Sequence, residues 1–147
     1  MRNILVPIDF SDISDDVVER AAAIAGVRDG KLWLLHVAPP HPDFAGHQLE
    51  RRVITDDVPR DLKEVHEKLH ERVAKLRARG FEVEAVLVQG QSVDEILAEA
   101  AHVGADLIAL GSHGHGAIYR ALVGSVSEGV LRGASCPLLI VPAAKNG

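Results

Sequence analysis

Two glycine clusters stand out as residues that could do chemistry. Gly111-Ser-His-Gly114 is followed after nine residues by Gly124-Ser125. Glycine lets a ligand approach the main chain closely and tolerates positive φ. The second cluster leads into a predicted helix, whose first N–H groups lack intrahelical partners and attract anions. Together they read as a phosphate cradle built from backbone rather than from charged side chains. Two commoner nucleotide motifs fail: a P-loop needs a Lys after its second glycine, and a dinucleotide fingerprint needs Gly-x-Gly-x-x-Gly after the first strand. Here no Lys follows either cluster, and the first cluster follows the fourth predicted strand.

Other residues carry weaker chemical signals. Asp9 can accept two hydroxyl protons as a carboxylate, or cap the helix that begins near Ser11 and Ser14. The Ser125 hydroxyl can accept a capping bond and still donate to a phosphate oxygen. His113 and His115 flank Gly114, where they either face the phosphates or sit as exposed loop histidines. His66-Glu-Lys-Leu-His70 matches the His-Glu-x-x-His zinc-hydrolase pattern in form. However, that helix already has an apolar stripe through Leu62, Val65, Leu69, Val73 and Leu76, which leaves both histidines on a flank among Glu64, Glu67 and Lys68 with no evident third ligand. Cys136 has no activating cation next to it in sequence and reads as a buried structural thiol. His36 reads as a satisfied, partly buried histidine.

These residues need elements to position them. Asn3–Asp9, Lys31–Val37, Phe81–Val88, Asp106–Leu110 and Leu138–Val141 are short apolar runs, as expected of strands covered on both faces. Between them, Val17, Ala21 and Ile24 share a helical face, as do Leu62 through Leu76, and then Ile96, Ala100 and Val103. Ser92-Val-Asp-Glu95 and Ser125-Val-Ser-Glu128 have the form of capping boxes, and Gly80 and Gly104 stand at expected C-terminal caps. Five strands alternating with four helices predict an α/β three-layer sandwich with a parallel sheet. Ligands of such sheets bind beyond the carboxyl ends of the strands, where Asp9, Val37, Gly90 and Gly111 fall. Residues 39–57 lack periodicity and read as a long loop.

Whole-chain properties narrow the function classes. With 147 residues, the chain fits one domain spanning 1–147. One cysteine permits no intrachain disulfide, and the start offers neither a signal peptide nor a membrane span, so a soluble cytoplasmic protein is expected. A net charge of −5 and 3% aromatic content argue against nucleic-acid binding. The basic run Arg72–Arg79 alternates with Glu67 and Glu71 and reads as a solvated helix face.

The spaced motif Gly111-x2-Gly114-x9-Gly124-Ser125 resembles that of the universal stress protein family, specifically its ATP-binding branch. The likeness extends to the opening run ending at Asp9, to Leu35-His-Val37, to Gly90 and to the closing Ser135–Pro142. Members that do not bind ATP typically lack the glycine-serine motif. The resemblance implies an adenine nucleotide alpha hydrolase-like fold. It puts ribose near Asp9 and Gly111, flanked by Pro7 and Leu110, with adenine against the main chain near Val37. Phosphates would lie on Gly114, Gly124, Ser125, Val126 and Ser127, beside His113 and His115, the latter at a position often basic in the family. It also implies a homodimer formed through the last strand, which the assigned order places at a sheet edge. Mg²⁺ can accompany the phosphates without a dedicated cage. No Walker-type aspartate, arginine finger or clear general base is evident, so a nucleotide-dependent regulator of stress response, acting through partner proteins, is expected rather than an efficient ATPase. The rival readings are a zinc-dependent hydrolase using His66 and His70, and an interaction protein that does not bind nucleotide.

Overall fold

A computed structural model of the chain describes residues 2–39, 52–53, 63–112 and 125–142. The elements run β1 (Asn3–Pro7), α1 (Ser14–Arg28), β2 (Lys31–Ala38), β3 (Arg52–Val53), α2 (Lys63–Ala78), β4 (Glu82–Gln89), α3 (Ser92–Val103), β5 (Leu107–Gly111), α4 (Ser125–Gly133) and β6 (Leu138–Val141). They form one sheet in the order β3-β4-β2-β1-β5-β6.

Successive side chains of a strand point to opposite faces, and both faces are apolar here. Ile4, Val6 and Ile8 join Leu32, Leu34, Val83 and Ala85 in a core closed by Val17 and Ala21 of α1 and by Leu69, Val73 and Leu76 of α2. Leu5, Leu35, Val86, Val88, Ile108 and Leu110 face the other way and pack against Ile96 of α3 and Val130 of α4. The sequence pattern therefore gives the expected three layers, with the parallel sheet between two pairs of helices.

Pairing is parallel between β4 and β2, β2 and β1, β1 and β5, and β5 and β6. The exception is β3, which lies antiparallel to β4 with Arg52 opposite Leu87 and Val53 opposite Val86. This corrects the reading of 39–57 as loop throughout. Two residues are too few for alternation to show, so the segment's sequence carried no strand signal.

Helix ends follow the sequence only in part. Gly80 and Gly104 adopt positive φ of 92° and 65°, the left-handed turn that favours glycine after a helix. The Ser92–Glu95 capping box does not form: Ser92 is already helical, and Gln91 stands at the cap with extended backbone and no side-chain capping bond. Instead the Glu95 side chain lies back against Gly90, where a Cβ would meet Glu95 Oε1 at 2.7 Å.

The strand order contains one reversal. From β1 the chain builds outward through β2 to β4, then returns to the other side of β1 with β5 and β6. A crevice opens at such a switch point, outside the carboxyl ends of the two strands that flank it. Pairing between β1 and β5 stops at Leu5 and Ile108, whereas β1 stays paired to β2 through Pro7 and β5 to β6 through Gly111. The two central strands thus part toward their carboxyl ends.

Candidate functional site

Of the expected site residues, Pro7 and Asp9 lie at and just past the carboxyl end of β1, and Leu110 and Gly111 at that of β5. Pro7 closes β1 opposite Leu35, and the Ile8 N–H continues that ladder to Leu35 O at 2.8 Å. Asp9 follows, exposed, just past the strand end. Its Oδ1 accepts the Ser11 N–H at 3.0 Å and the Ser14 hydroxyl at 2.9 Å. The capping reading of Asp9 is therefore partly realised. Asp9 folds the turn into α1, yet the cap position of α1 belongs to Ile13, which makes no side-chain capping bond.

Phe10 adopts a left-handed backbone, φ 60°, which a bulky residue rarely takes. Its ring packs against the His36 imidazole, with centroids 4.8 Å apart, and lies under Lys68 Nζ at 5.3 Å and Arg72 Cζ at 4.9 Å. These contacts with α2 and β2 hold a turn that the backbone alone disfavours. His36 anchors it from below, since its Nδ1 donates to Ile8 O at 2.9 Å. Burial is the main cause that lowers the His36 pKa, against the Ile8 carbonyl and Asp9, which favour the charged ring; Lys68 adds to the lowering. As expected from sequence, His36 is a satisfied histidine. The role of Phe10 was not legible, because nothing in an Asp-Phe-Ser triplet announces positive φ.

Across the crevice, Leu110 is buried and Gly111 half-buried at the end of β5, opposite Ile140 and Val141. Ser112 follows, 4% exposed, with its N–H on Val141 O at 2.8 Å. Ser127 of α4 donates its hydroxyl to Gly111 O at 2.8 Å. That bond brings the first turn of α4, with the N–H groups of Ser125, Val126 and Ser127, to the carboxyl end of β5. It also refines the expectation for Ser127. The hydroxyl proton is committed to Gly111, so Ser127 would meet an anion through its main-chain N–H. Ser125 and Val126 are both exposed in that turn. Ser125 is itself helical rather than the cap.

Val37 lies two residues farther along β2 than Leu35, half-buried and opposite Val88. Beyond it the Gly90 N–H donates to Ala38 O at 3.0 Å, and Gln89 Nε2 donates to Pro39 O at 3.1 Å. Gly90 has φ 154°. The expected positions His113, Gly114, His115 and Gly124 lie outside the described residues.

The remaining sequence candidates fall elsewhere. The His66 and His70 rings stack with centroids 6.0 Å apart on α2. Among the described residues no group of three His, Cys, Asp or Glu side chains is placed to hold a metal. Cys136 is half-buried before β6, and burial, with the Asp106 carboxylate adding to it, pushes its thiol pKa up, away from the reactive thiolate. Among the described residues no helix is long and apolar enough to cross a membrane.

Known proteins share this fold. The model of the universal stress protein family matches residues 1–142. The chain belongs to the universal stress protein family. A universal stress protein of Methanocaldococcus jannaschii is 30% identical over 146 residues, covering 99% of this chain and 84% of its relative. Among solved structures, a universal stress protein in complex with cAMP is 29% identical and superposes with a TM-score of 0.69, covering 95% of this chain and 96% of the other. An Archaeoglobus fulgidus universal stress protein in complex with dAMP is 25% identical with the same TM-score, covering 95% and 97%. The family resemblance read from the glycine and strand motifs is thus correct.

Proposed function

We propose that this universal stress protein binds ATP in the crevice between β1 and β5 and acts in the cytoplasm as a nucleotide-dependent regulatory module in stress response. The observation that carries the reading is the Ser127–Gly111 hydrogen bond, which sets the first turn of α4 against the end of β5, one strand from Asp9. Main-chain N–H groups at that turn are donors for phosphate oxygens, and a carboxylate is an acceptor for ribose hydroxyls. Donors and acceptors of both kinds that a nucleotide requires support the reading. Two solved relatives, in complex with cAMP and dAMP, support an adenine nucleotide as the ligand class. The Gly114 and Gly124-Ser125 spacing supports a triphosphate, with Mg²⁺ held by phosphate oxygens and water.

The same reading includes a homodimer formed through β6. Among the described residues this strand ends the sheet, and Leu138, Leu139 and Ile140 are each only half-buried. An apolar strand with an unpaired side is a template for another chain. A protein partner would then read the nucleotide state of the dimer.

Mass spectrometry of the small molecules released by denaturing freshly purified protein tests the nucleotide reading directly. ATP in near-stoichiometric amount is the expected result. Stripped protein that fails to rebind ATP in equilibrium dialysis would overturn it in favour of an interaction protein without nucleotide.

A further inference from the structure

The α3 and α4 helices approach so closely that two positions on α4 have no room for a side chain. A Cβ at Gly129 would stand 2.7 Å from Val93 Cγ2 and 3.2 Å from Val93 Cγ1, and one at Gly133 would stand 2.5 Å from Leu97 Cδ1. Val93 and Leu97 lie one helical turn apart on α3, as Gly129 and Gly133 do on α4, so the two side chains seat in successive gaps. Val93 is β-branched and therefore stiff at χ1 in a helix. Carbon atoms in contact settle about 3.5–4.0 Å apart, so a methyl group at 129 would drive the helices apart by about 1 Å. Alanine is the better helix former at both positions. Glycine there serves the approach of α3 rather than the helix itself.

We propose that Gly129, by receiving Val93, is a positioning residue that sets how closely the first turn of α4 stands to the end of β5. Gly133 and Leu97 do the same one turn farther along. The inference rests on the nucleotide reading above and adds to it the contact through which α3 controls the phosphate-facing turn. Ser127, two residues before Gly129, holds Gly111 O at 2.8 Å. An outward shift of about 1 Å exceeds what a hydrogen bond of that length tolerates. The main-chain N–H groups of Ser125 and Val126 move with the same turn. Gly129 thus acts through the backbone of α4, without touching the ligand. Because β1 and β2 carry the groups proposed to meet ribose and adenine, dependence on the α3–α4 contact is confined to the phosphates.

The test measures ATP and adenosine binding by calorimetry on nucleotide-stripped protein, with urea midpoints taken alongside. Gly129→Ala is expected to weaken ATP about tenfold or more, the range of a hydrogen bond to a charged group, and to leave adenosine, which has no phosphate, within about twofold. Its urea midpoint should move little, because the gain in helix propensity offsets the crowding. Val93→Ala removes both Cγ atoms and leaves Cβ, 3.5 Å from the position of the new methyl. The double variant Val93→Ala/Gly129→Ala is therefore expected to return ATP affinity to within about twofold of wild type, a coupling that a double-mutant cycle reads directly. Should Gly129→Ala not fold, Gly133→Ala with and without Leu97→Ala gives the same comparison. Equal weakening of ATP and adenosine would make the contact merely structural and overturn the proposal. So would full ATP affinity in Gly129→Ala, or a double variant as weak as the single one, either of which leaves the nucleotide reading intact. A wild type that binds neither ligand would overturn that reading and this inference together.

Discussion

The Ser127 hydroxyl donates to the Gly111 carbonyl oxygen at 2.8 Å, tying the first turn of α4 to the last residue of β5. Ser127 is 3% exposed, whereas Gly111 is half-buried. Ser127→Ala removes this hydrogen bond and should destabilise the fold by about 0.5–1.5 kcal/mol. Urea denaturation measures this at once. The same variant should weaken ATP binding, because α4 loses the tether that sets its N–H groups. Unchanged stability and affinity would show that α4 is positioned by its packing on α3 alone.

The pH dependence of stability should carry the signature of His36. Burial lowers its pKa in the folded protein, so between that value and the ordinary 6.5 the unfolded chain binds more protons than the folded one. Stability from the neutral, buried ring is fully present above 6.5 and is lost as pH falls through that window. His36→Gln keeps a donor for Ile8 O without a titrating ring. Its urea midpoint should therefore fall less than that of wild type between pH 7.5 and pH 5.5. Parallel curves for the two proteins would assign the acid sensitivity to other groups.

Dimer formation through β6 makes a prediction about one residue rather than a whole strand. Pro137 O accepts the Ile108 N–H and Val141 O accepts the Ser112 N–H, so the main chain at 137, 139 and 141 faces β5. Main-chain groups alternate sides along a strand, which turns Leu138 and Ile140 toward the open side. Ile140→Pro should remove an outward donor and shift the protein toward monomer in light scattering at micromolar concentration, with β5–β6 pairing retained. Val141→Pro would instead cut a bond within the sheet. A monomeric wild type contradicts the β6 dimer outright.

His66 and His70 should hold no structural or catalytic metal. Their rings stack at 6.0 Å on one face of α2, and no third ligand joins them among the described residues. Replacing both by Gln should leave the melting temperature and the ATP affinity nearly unchanged. Elemental analysis that finds one zinc per chain in wild type and none in the double variant would reverse this.

Strands were the most legible part of the sequence, because covering both faces of a sheet demands continuous apolar runs such as Leu32–Leu35. Gly80 and Gly104 were legible for a related reason: left-handed caps strongly favour glycine. The site was legible only where a residue type names its own chemistry, as with Asp9 and Gly111. Ser14 and Phe10 were not, since a serine five residues from an aspartate and a phenylalanine at positive φ gain meaning only from β2 and α2 packing around them. The Ser92 capping box failed because the chain leaves β4 through Gly90 and starts α3 one residue early, so tertiary geometry overrode a local pattern. Ser127 is legible as a phosphate ligand, but only the fold shows that its hydroxyl proton goes to Gly111 O, which leaves the main-chain N–H as the group to meet an anion.

The glycine cradle gives the sharpest test of the proposed function. If Gly124 lets the main chain approach phosphate, a branched side chain there should block the ligand while the sheet stays intact. ATP at 100 times its dissociation constant stabilises a native protein by about 2.7 kcal/mol. For a chain of this size that should raise the melting temperature by roughly 5–10 °C. Stripped wild type should show this shift, and Gly124→Val should show none while still melting cooperatively. Asp9→Ala should fall between them, since it removes the ribose contact and leaves the N–H groups of α4. Equal shifts in all three proteins would place ATP away from the β1–β5 crevice, because no other arrangement lets it ignore both Asp9 and Gly124.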